Sequence, residues 1–239
     1  MNELLNKVLE VHGGLERWNS FSTLTASIVT GGELWGIKGV TQDAMARTMT
    51  VKLHEQYASV TPFGNPEWRT AFTADHIAIE TLEGEVRHQR ADPRASFALH
   101  DLDTPWDPLH RAYFSGYAMW TYLTTPFFMA MPGFNVVEIA AWQEGTERWP
   151  GLRVKFPDHI ASHSRQQDFY FGEDHLLRRH DYHVDIAGGF AAAQYVSDYV
   201  EAQGMMFPAK RRAYRRDDDL QPLRDQVMVS IDLGDFRLS

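Results

Sequence analysis

Across most of this chain apolar residues return at every second position, and that alternation is its strongest constraint on fold. Leu24, Ala26 and Ile28 alternate with Thr23, Thr25 and Ser27, and Met45, Arg47, Met49 and Val51 alternate with small residues and threonines. Successive side chains of a strand point to opposite faces, so a period of two predicts strands with one face buried. Further candidates are 69–73, 76–79 and 85–88, with Glu83-Gly84 as a hairpin turn between the last two. Beyond residue 134 the pattern predicts strands at 136–142, 152–156, 167–171, 176–184, 192–201, 206–214 and 226–236. Turns are marked by Gly172-Glu173-Asp174 and Ala202-Gln203-Gly204. A strand about every ten residues favours an antiparallel meander closing toward a sandwich or barrel over βαβ units.

Two stretches break the pattern. Leu4, Leu5, Val8, Leu9 and His12 recur at helical spacing, and Gly13-Gly14 supplies the left-handed backbone that ends a helix. Leu15 to Trp18 add a further turn, so residues 1–18 are the expected N-terminal helix. In residues 106–134, Asp107 is the expected N-cap, followed by Pro108 in the first turn, while Pro126 and Pro132 break the run. No Asp, Glu, Lys or Arg occurs from Ala112 through Val137. The fold class is therefore mainly β (α+β): one domain over 1–239, a single antiparallel, partly open β-barrel. The N-terminal helix and the helical insertion at 106–134 are expected to cover its interior.

Composition narrows the function classes. With no cysteine among its 239 residues, disulfides, thiolate catalysis and zinc fingers are excluded. A net charge of −9 repels phosphate backbones. The basic cluster Lys210, Arg211, Arg212, Arg215 and Arg216 runs directly into Asp217-Asp218-Asp219, so no nucleic-acid partner is expected. Glu3, Asn6, Lys7 and Glu10 interrupt the apolar residues after Met1, unlike a secretory signal, and the expected location is the cytoplasm. Prolines and glycines interrupt the apolar stretch, so no membrane span is expected.

The candidate chemistry is sparse. No GxSxG elbow and no phosphate-cradling glycine motif is present, so no catalytic residue is assigned and no cofactor expected. Among the 11 histidines, His180 and His183 are three apart, which on a strand places them on opposite faces. His159 and His163 fall in a loop after Pro157, and no metal is expected. Asp101 and Asp103 read as a solvated loop leading to Asp107. The hairpin 167–184 carries polar groups on both faces, with Leu177, Arg179, Asp181 and His183 on one and Leu176, Arg178, His180 and Tyr182 on the other. Such a hairpin is either an exposed sheet edge, the favoured reading, or the wall of a polar interior.

The strongest functional signal is aromatic. Tyr113, Phe114, Tyr117, Trp120, Tyr122, Phe127, Phe128 and Phe134 place eight aromatics in 22 residues, where the average content of this chain would give about three. They form either a core plug or the wall of an apolar ligand cavity. On the second reading the ligand-binding residues are Tyr113, Tyr117, Trp120, Phe127 and Phe128, with Arg179 and His183 contributed by the hairpin.

The element order carries a resemblance. A helix ends in Gly13-Gly14, a meander follows, and the helical insertion enters after Asp92-Pro93-Arg94. A late strand then opens with the Gly-x-x-Phe-Pro of Gly204, Phe207 and Pro208. This order resembles the lipoprotein-carrier (LolA/LolB-like) superfamily across most of the chain. The resemblance implies an unclosed β-barrel with helices over its mouth and a cavity for acylated, apolar cargo. It brings no binding motif, so no family residue is carried over. Three readings stay open at this point. The first is a module binding a small apolar or amphipathic molecule in the barrel cavity. The second is an enzyme of unknown reaction with a polar cavity lined from Arg178–His183, and the third is a structural or partner-binding domain with a filled core.

Overall fold

The alternating segments become thirteen strands of one open antiparallel sheet. The structure, a computed structural model, describes residues 2–40 and 44–239. β1 (Thr23–Gly31), β2 (Arg47–Lys52), β3 (Ala58–Thr61), β4 (Trp68–Phe72), β5 (His76–Thr81) and β6 (Val86–Ala91) form the first half of the chain. β7 (Asn135–Glu144), β8 (Glu147–Lys155), β9 (Gln166–Phe171), β10 (Leu177–Val184), β11 (Phe190–Ala202), β12 (Met205–Arg216) and β13 (Pro222–Leu238) form the second. β1 sits in the middle beside β13. The chain meanders outward from β1 to the edge strand β6, crosses to the opposite edge at β7, and meanders back to β13.

That crossing explains the charge-free segment. To pass from one edge to the other, the connection must lie across a face of the sheet. Helix α4 (Pro108–Thr124) does so, packing on β2 through β6, and the side it covers is called the inner face below. Thirteen of its seventeen residues are buried, so it is apolar nearly all round. The helices α1 (Glu3–Val11) and α2 (Leu15–Asn19) occupy the stretch expected as one N-terminal helix, separated at Gly13-Gly14. A short α3 (Leu34–Ile37) and the strand β3 carry no expectation from the sequence, because each is too short to display a period.

Both ends of α4 are tied down. Asp107 accepts from the His110 backbone N–H at 2.8 Å, and Arg90 donates to the same carboxylate at 2.6 Å. At the other end Pro126 has no N–H to offer the Tyr122 carbonyl. The buried Arg211 guanidinium of β12 donates to that carbonyl instead, at 2.7 Å. A cation there also complements the negative end of the helix dipole. The Thr124 and Thr125 hydroxyls bond back to the Trp120 and Thr121 carbonyls. In mid-helix, Gly116 lies so close to β4 that a Cβ would meet the Phe72 ring at 2.3 Å.

The hairpin of β9 and β10 is not an exposed edge, since the edges are β6 and β7 and it pairs on both sides. Its two polar faces have separate explanations. His180 meets the ring of Tyr122 beneath α4 and Tyr182 meets its hydroxyl, while Arg179 and Asp181 are buried on the outer face. Alternation alone cannot show that a strand is covered on both sides by different elements.

Candidate functional site

The interior beneath α4 is filled. Trp120 is fully buried and its indole N–H is shared by the Lys52 and Glu55 carbonyls, 3.0 and 2.9 Å away. Phe128 packs against Phe134, Phe156 and Phe169, with ring centroids 5.0–5.9 Å apart. Phe127 stacks on Trp18 at 4.3 Å. The space that remains between α4 and the sheet, bounded by Phe114, Ala118, Met119, Ile28 and Met49, is about 40 Å³. One water needs roughly 10–15 Å³ on this measure, so the gap admits a few waters and no acyl chain.

Buried polar groups thread this core. His163 Nε2 lies 2.7 Å from the Tyr122 hydroxyl, which lies 3.1 Å from that of Tyr182. His180 Nε2 meets Gln167 Oε1 at 2.7 Å, and Arg211 donates to Gln194 Oε1 at 2.9 Å. Burial pushes His163 down to about 3 and His180 well below its ordinary range, so both rings are neutral. Burial likewise raises the Tyr117 and Tyr182 phenols, which stay protonated.

The open space lies at the mouth. A cleft of about 610 Å³ runs between the turn at Ala74-Asp75, the Asp92–Arg94 corner and the loop 156–165. Its apolar lining is Tyr113, Phe156, Pro157 and Ile160, the upper surface of the aromatic core. Its charges are partly paired: Arg94 reaches Asp185 at 3.3 Å and Arg165 reaches Asp158 at 2.8 Å. Arg94 also donates to the Ser162 carbonyl at 2.9 Å. Asp92 holds a left-handed backbone (φ 43°) that turns the chain from β6 into this corner.

A second polar cluster occupies the outer face. Arg179 and Asp181 form a two-bond ion pair at 2.6 and 2.8 Å, and Arg216 adds a third bond to the carboxylate at 2.9 Å. Arg179 also donates to the Leu220 carbonyl at 2.6 Å and lies 4.0 Å from the Trp142 ring. Burial raises the Asp181 carboxyl against the pull of both guanidinium groups. Through the Arg179 bond to Leu220 the cluster pins the turn between β12 and β13 to the sheet.

The residues singled out in the sequence therefore separate into three places. Tyr113 lines the mouth cleft. Tyr117, Trp120, Phe127 and Phe128 are in the filled core below it. The structure does not bring Arg179 and His183 to these aromatics: Arg179 is enclosed on the outer face and His183 is exposed. A bulge between Leu177 and Arg179 separates Leu177, packed in the core, from its expected face-mates. The cleft residues Arg94, Phe156, Ile160 and Asp185 come from three chain segments and share no motif, so no pattern in the sequence collects them.

No protein-family model matches the chain, and no curated protein matches it in sequence. Solved structures do match in fold. A LolA superfamily protein from Nitrosomonas europaea is 10% identical, with 99% of this chain and 92% of that chain covered at a TM-score of 0.52. A DUF1329 family protein from Desulfovibrio piger is 8% identical, with coverage of 99% and 92% and a TM-score of 0.52. A protein from Vibrio parahaemolyticus described as an outer membrane lipoprotein-sorting domain is 10% identical, covering 98% and 93% at 0.52. The chain thus has the open-barrel fold that its element order resembles. The expected cytoplasmic location is corrected by this comparison, because the Vibrio parahaemolyticus neighbour, described as an outer membrane lipoprotein-sorting domain, points away from the cytoplasm. The charged residues between Glu3 and Glu10 belong to the folded helix α1, whose polarity reports its exposed side rather than a compartment.

Proposed function

We propose that this protein binds a lipid-like, apolar or amphipathic molecule, and that it does so in the mouth cleft rather than beneath α4. The observation that carries this reading is the contrast in free volume, about 610 Å³ at the mouth against about 40 Å³ under the helix. Ligand sites fall at roughly 300–1,000 Å³ and combine apolar walls with a few polar groups. In the cleft Pro157 and Ile160, backed by Tyr113 and Phe156, form the apolar wall, and Asp75, Asp92, Arg94, Asp158, Arg165 and Asp185 bring charge around it. The fold shared with a lipoprotein-sorting domain supports the same ligand class. On this reading Tyr113 touches the ligand, whereas Tyr117, Trp120, Phe127 and Phe128 support the floor.

The test uses the neutral apolar fluorophore N-phenyl-1-naphthylamine. It should bind with enhanced emission, and Ile160→Glu, which places a charge in the apolar wall, should weaken binding about tenfold or more. Equal affinity in both proteins, or no binding by either, refutes the cleft as a ligand site.

A further inference from the structure

The charges around the mouth cleft do not balance. Its lining carries four carboxylates, Asp75, Asp92, Asp158 and Asp185, against the two guanidiniums of Arg94 and Arg165. Arg165 meets Asp158 at 2.8 Å on the lip formed by the loop 156–165. The excess therefore falls across the cleft, where Arg94 is one cation among Asp75, Asp92 and Asp185. Arg94 is committed to Asp185 at 3.3 Å and to the Ser162 carbonyl at 2.9 Å. Arg90, at the end of β6, is committed to Asp107 at 2.6 Å. Among the described residues, no cation forms an ion pair with Asp75 or Asp92.

The backbone sets these two acids side by side. The β5–β6 ladder ends at the pair His76 and Ala91, and one residue further the Asp92 N–H donates to the Asp75 carbonyl at 2.8 Å. Like charges directly opposite on neighbouring strands are destabilising. The Thr73 hydroxyl fixes the Asp75 carboxylate, donating to it at 2.7 Å. Tyr113 ties the pair to the floor of the cleft: its hydroxyl lies 3.4 Å from the Ala74 carbonyl. Burial raises the Tyr113 phenol, Arg94 opposes that, and Asp92 adds to it. The two acids thus stand where the aromatic floor gives way to the polar rim.

We propose that Asp75 and Asp92 select a ligand with a cationic head, so that the amphiphile held in the cleft is of the alkylammonium kind rather than acidic or neutral. The inference deepens the cleft reading and rests on it. The head lies by the two carboxylates, where it relieves their mutual repulsion, and its chain lies along Pro157 and Ile160. Arg94 and Arg165 keep Asp185 and Asp158, so neither ion pair has to break.

Decyltrimethylammonium, decan-1-ol and decanoate, equal in chain length and used below their aggregation thresholds, separate the possibilities when each displaces N-phenyl-1-naphthylamine from the full chain. At pH 8, above the ordinary range of histidine, the cation should bind about three- to tenfold more tightly than the alcohol, and decanoate more weakly than the alcohol. The preference should collapse in 1 M salt, where the screening length is about 3 Å. Asp75→Asn with Asp92→Asn should bring the cation to within about twofold of the alcohol; asparagine keeps the side-chain shape and accepts the left-handed backbone at position 92. The net charge of −9 attracts cations to the whole surface. Asp218→Asn with Asp219→Asn, at two exposed acids of the β12–β13 turn outside the cleft lining, removes the same charge and should keep the preference. Thermal melts establish that each variant is folded. Equal binding of cation and alcohol, tighter binding of decanoate, or a preference lost equally in both double variants overturns the cationic-head assignment and leaves the cleft reading intact. If the fluorophore does not bind, or none of the three compounds displaces it, the cleft reading falls and the head assignment with it.

Discussion

The interior beneath α4 and the cleft at its mouth meet at Tyr113, yet they differ in what they can hold. Beneath the helix, Trp120, Phe127 and Phe128 meet partners on every side, and the Trp120 N–H is committed to two carbonyls. At the mouth, Arg94, Pro157 and Ile160 border a space of about 610 Å³, with the buried Tyr113 and Phe156 at its floor. The helix is held by Asp107 and Arg90 at one end and Arg211 at the other. The difference teaches that an aromatic-rich helix over an open sheet need not be a lid. When both its ends are bonded, it is core, and the ligand space is displaced to the rim.

The largest effect that can sharpen this contrast is acid lability of the filled side. Burial holds His163 near pKa 3 and His12 near 4, against an ordinary value of 6.5. The unfolded chain takes up these protons first, so the stability both rings contribute is complete above about pH 6.5 and is lost as pH falls. Between pH 6.5 and 4.5 the pair should cost about 5 kcal/mol, and His180 adds in the same direction. Urea unfolding at stepped pH reads this directly. A flat profile over that window would mean that water reaches these rings.

Next in size is Trp120→Ala, expected to cost about 3–5 kcal/mol as truncations of filled cores do. A loss under about 1 kcal/mol in denaturant melts would place Trp120 beside free space and reverse the contrast. Gly116→Ala should follow at about 1–3 kcal/mol, because the added methyl would meet Phe72 at 2.3 Å and push the helix off β4. A neutral result would show that α4 has slack to move. Smallest is Ile160→Glu in the cleft, where the stability change should stay within about 0.5 kcal/mol while probe binding falls. A large stability loss there would make the cleft wall part of the core.

Much of the architecture was readable before any coordinates. The period of two marked nearly all the strands, Gly13-Gly14 marked the break between α1 and α2, and Asp107-Pro108 marked the start of α4. The charge-free run from Ala112 to Val137 marked the insertion as covering the interior but left open whether it plugs a core or walls a cavity. These features depend on neighbours within a few residues: side-chain alternation, a cap, a missing N–H. The outcome for the hairpin was different. Whether Arg179 and His180 faced solvent or a partner depended on Trp142, Leu220, Gln167 and Tyr122, which lie 13 to 58 residues away in the chain, and alternation carries no information at that range.

The sequence by itself determined that this chain is a meander of antiparallel strands with an aromatic helical insertion, because a strand or helix declares its period through the spacing of its own residues. Only the tertiary structure decided that the helix fills the barrel, that Arg211 replaces the hydrogen bond Pro126 cannot make, and that Arg94, Phe156, Ile160 and Asp185 border one cleft. Filling is a sum of volumes from many elements, and a cleft is the place where that sum falls short. Neither is a property of any single stretch of residues.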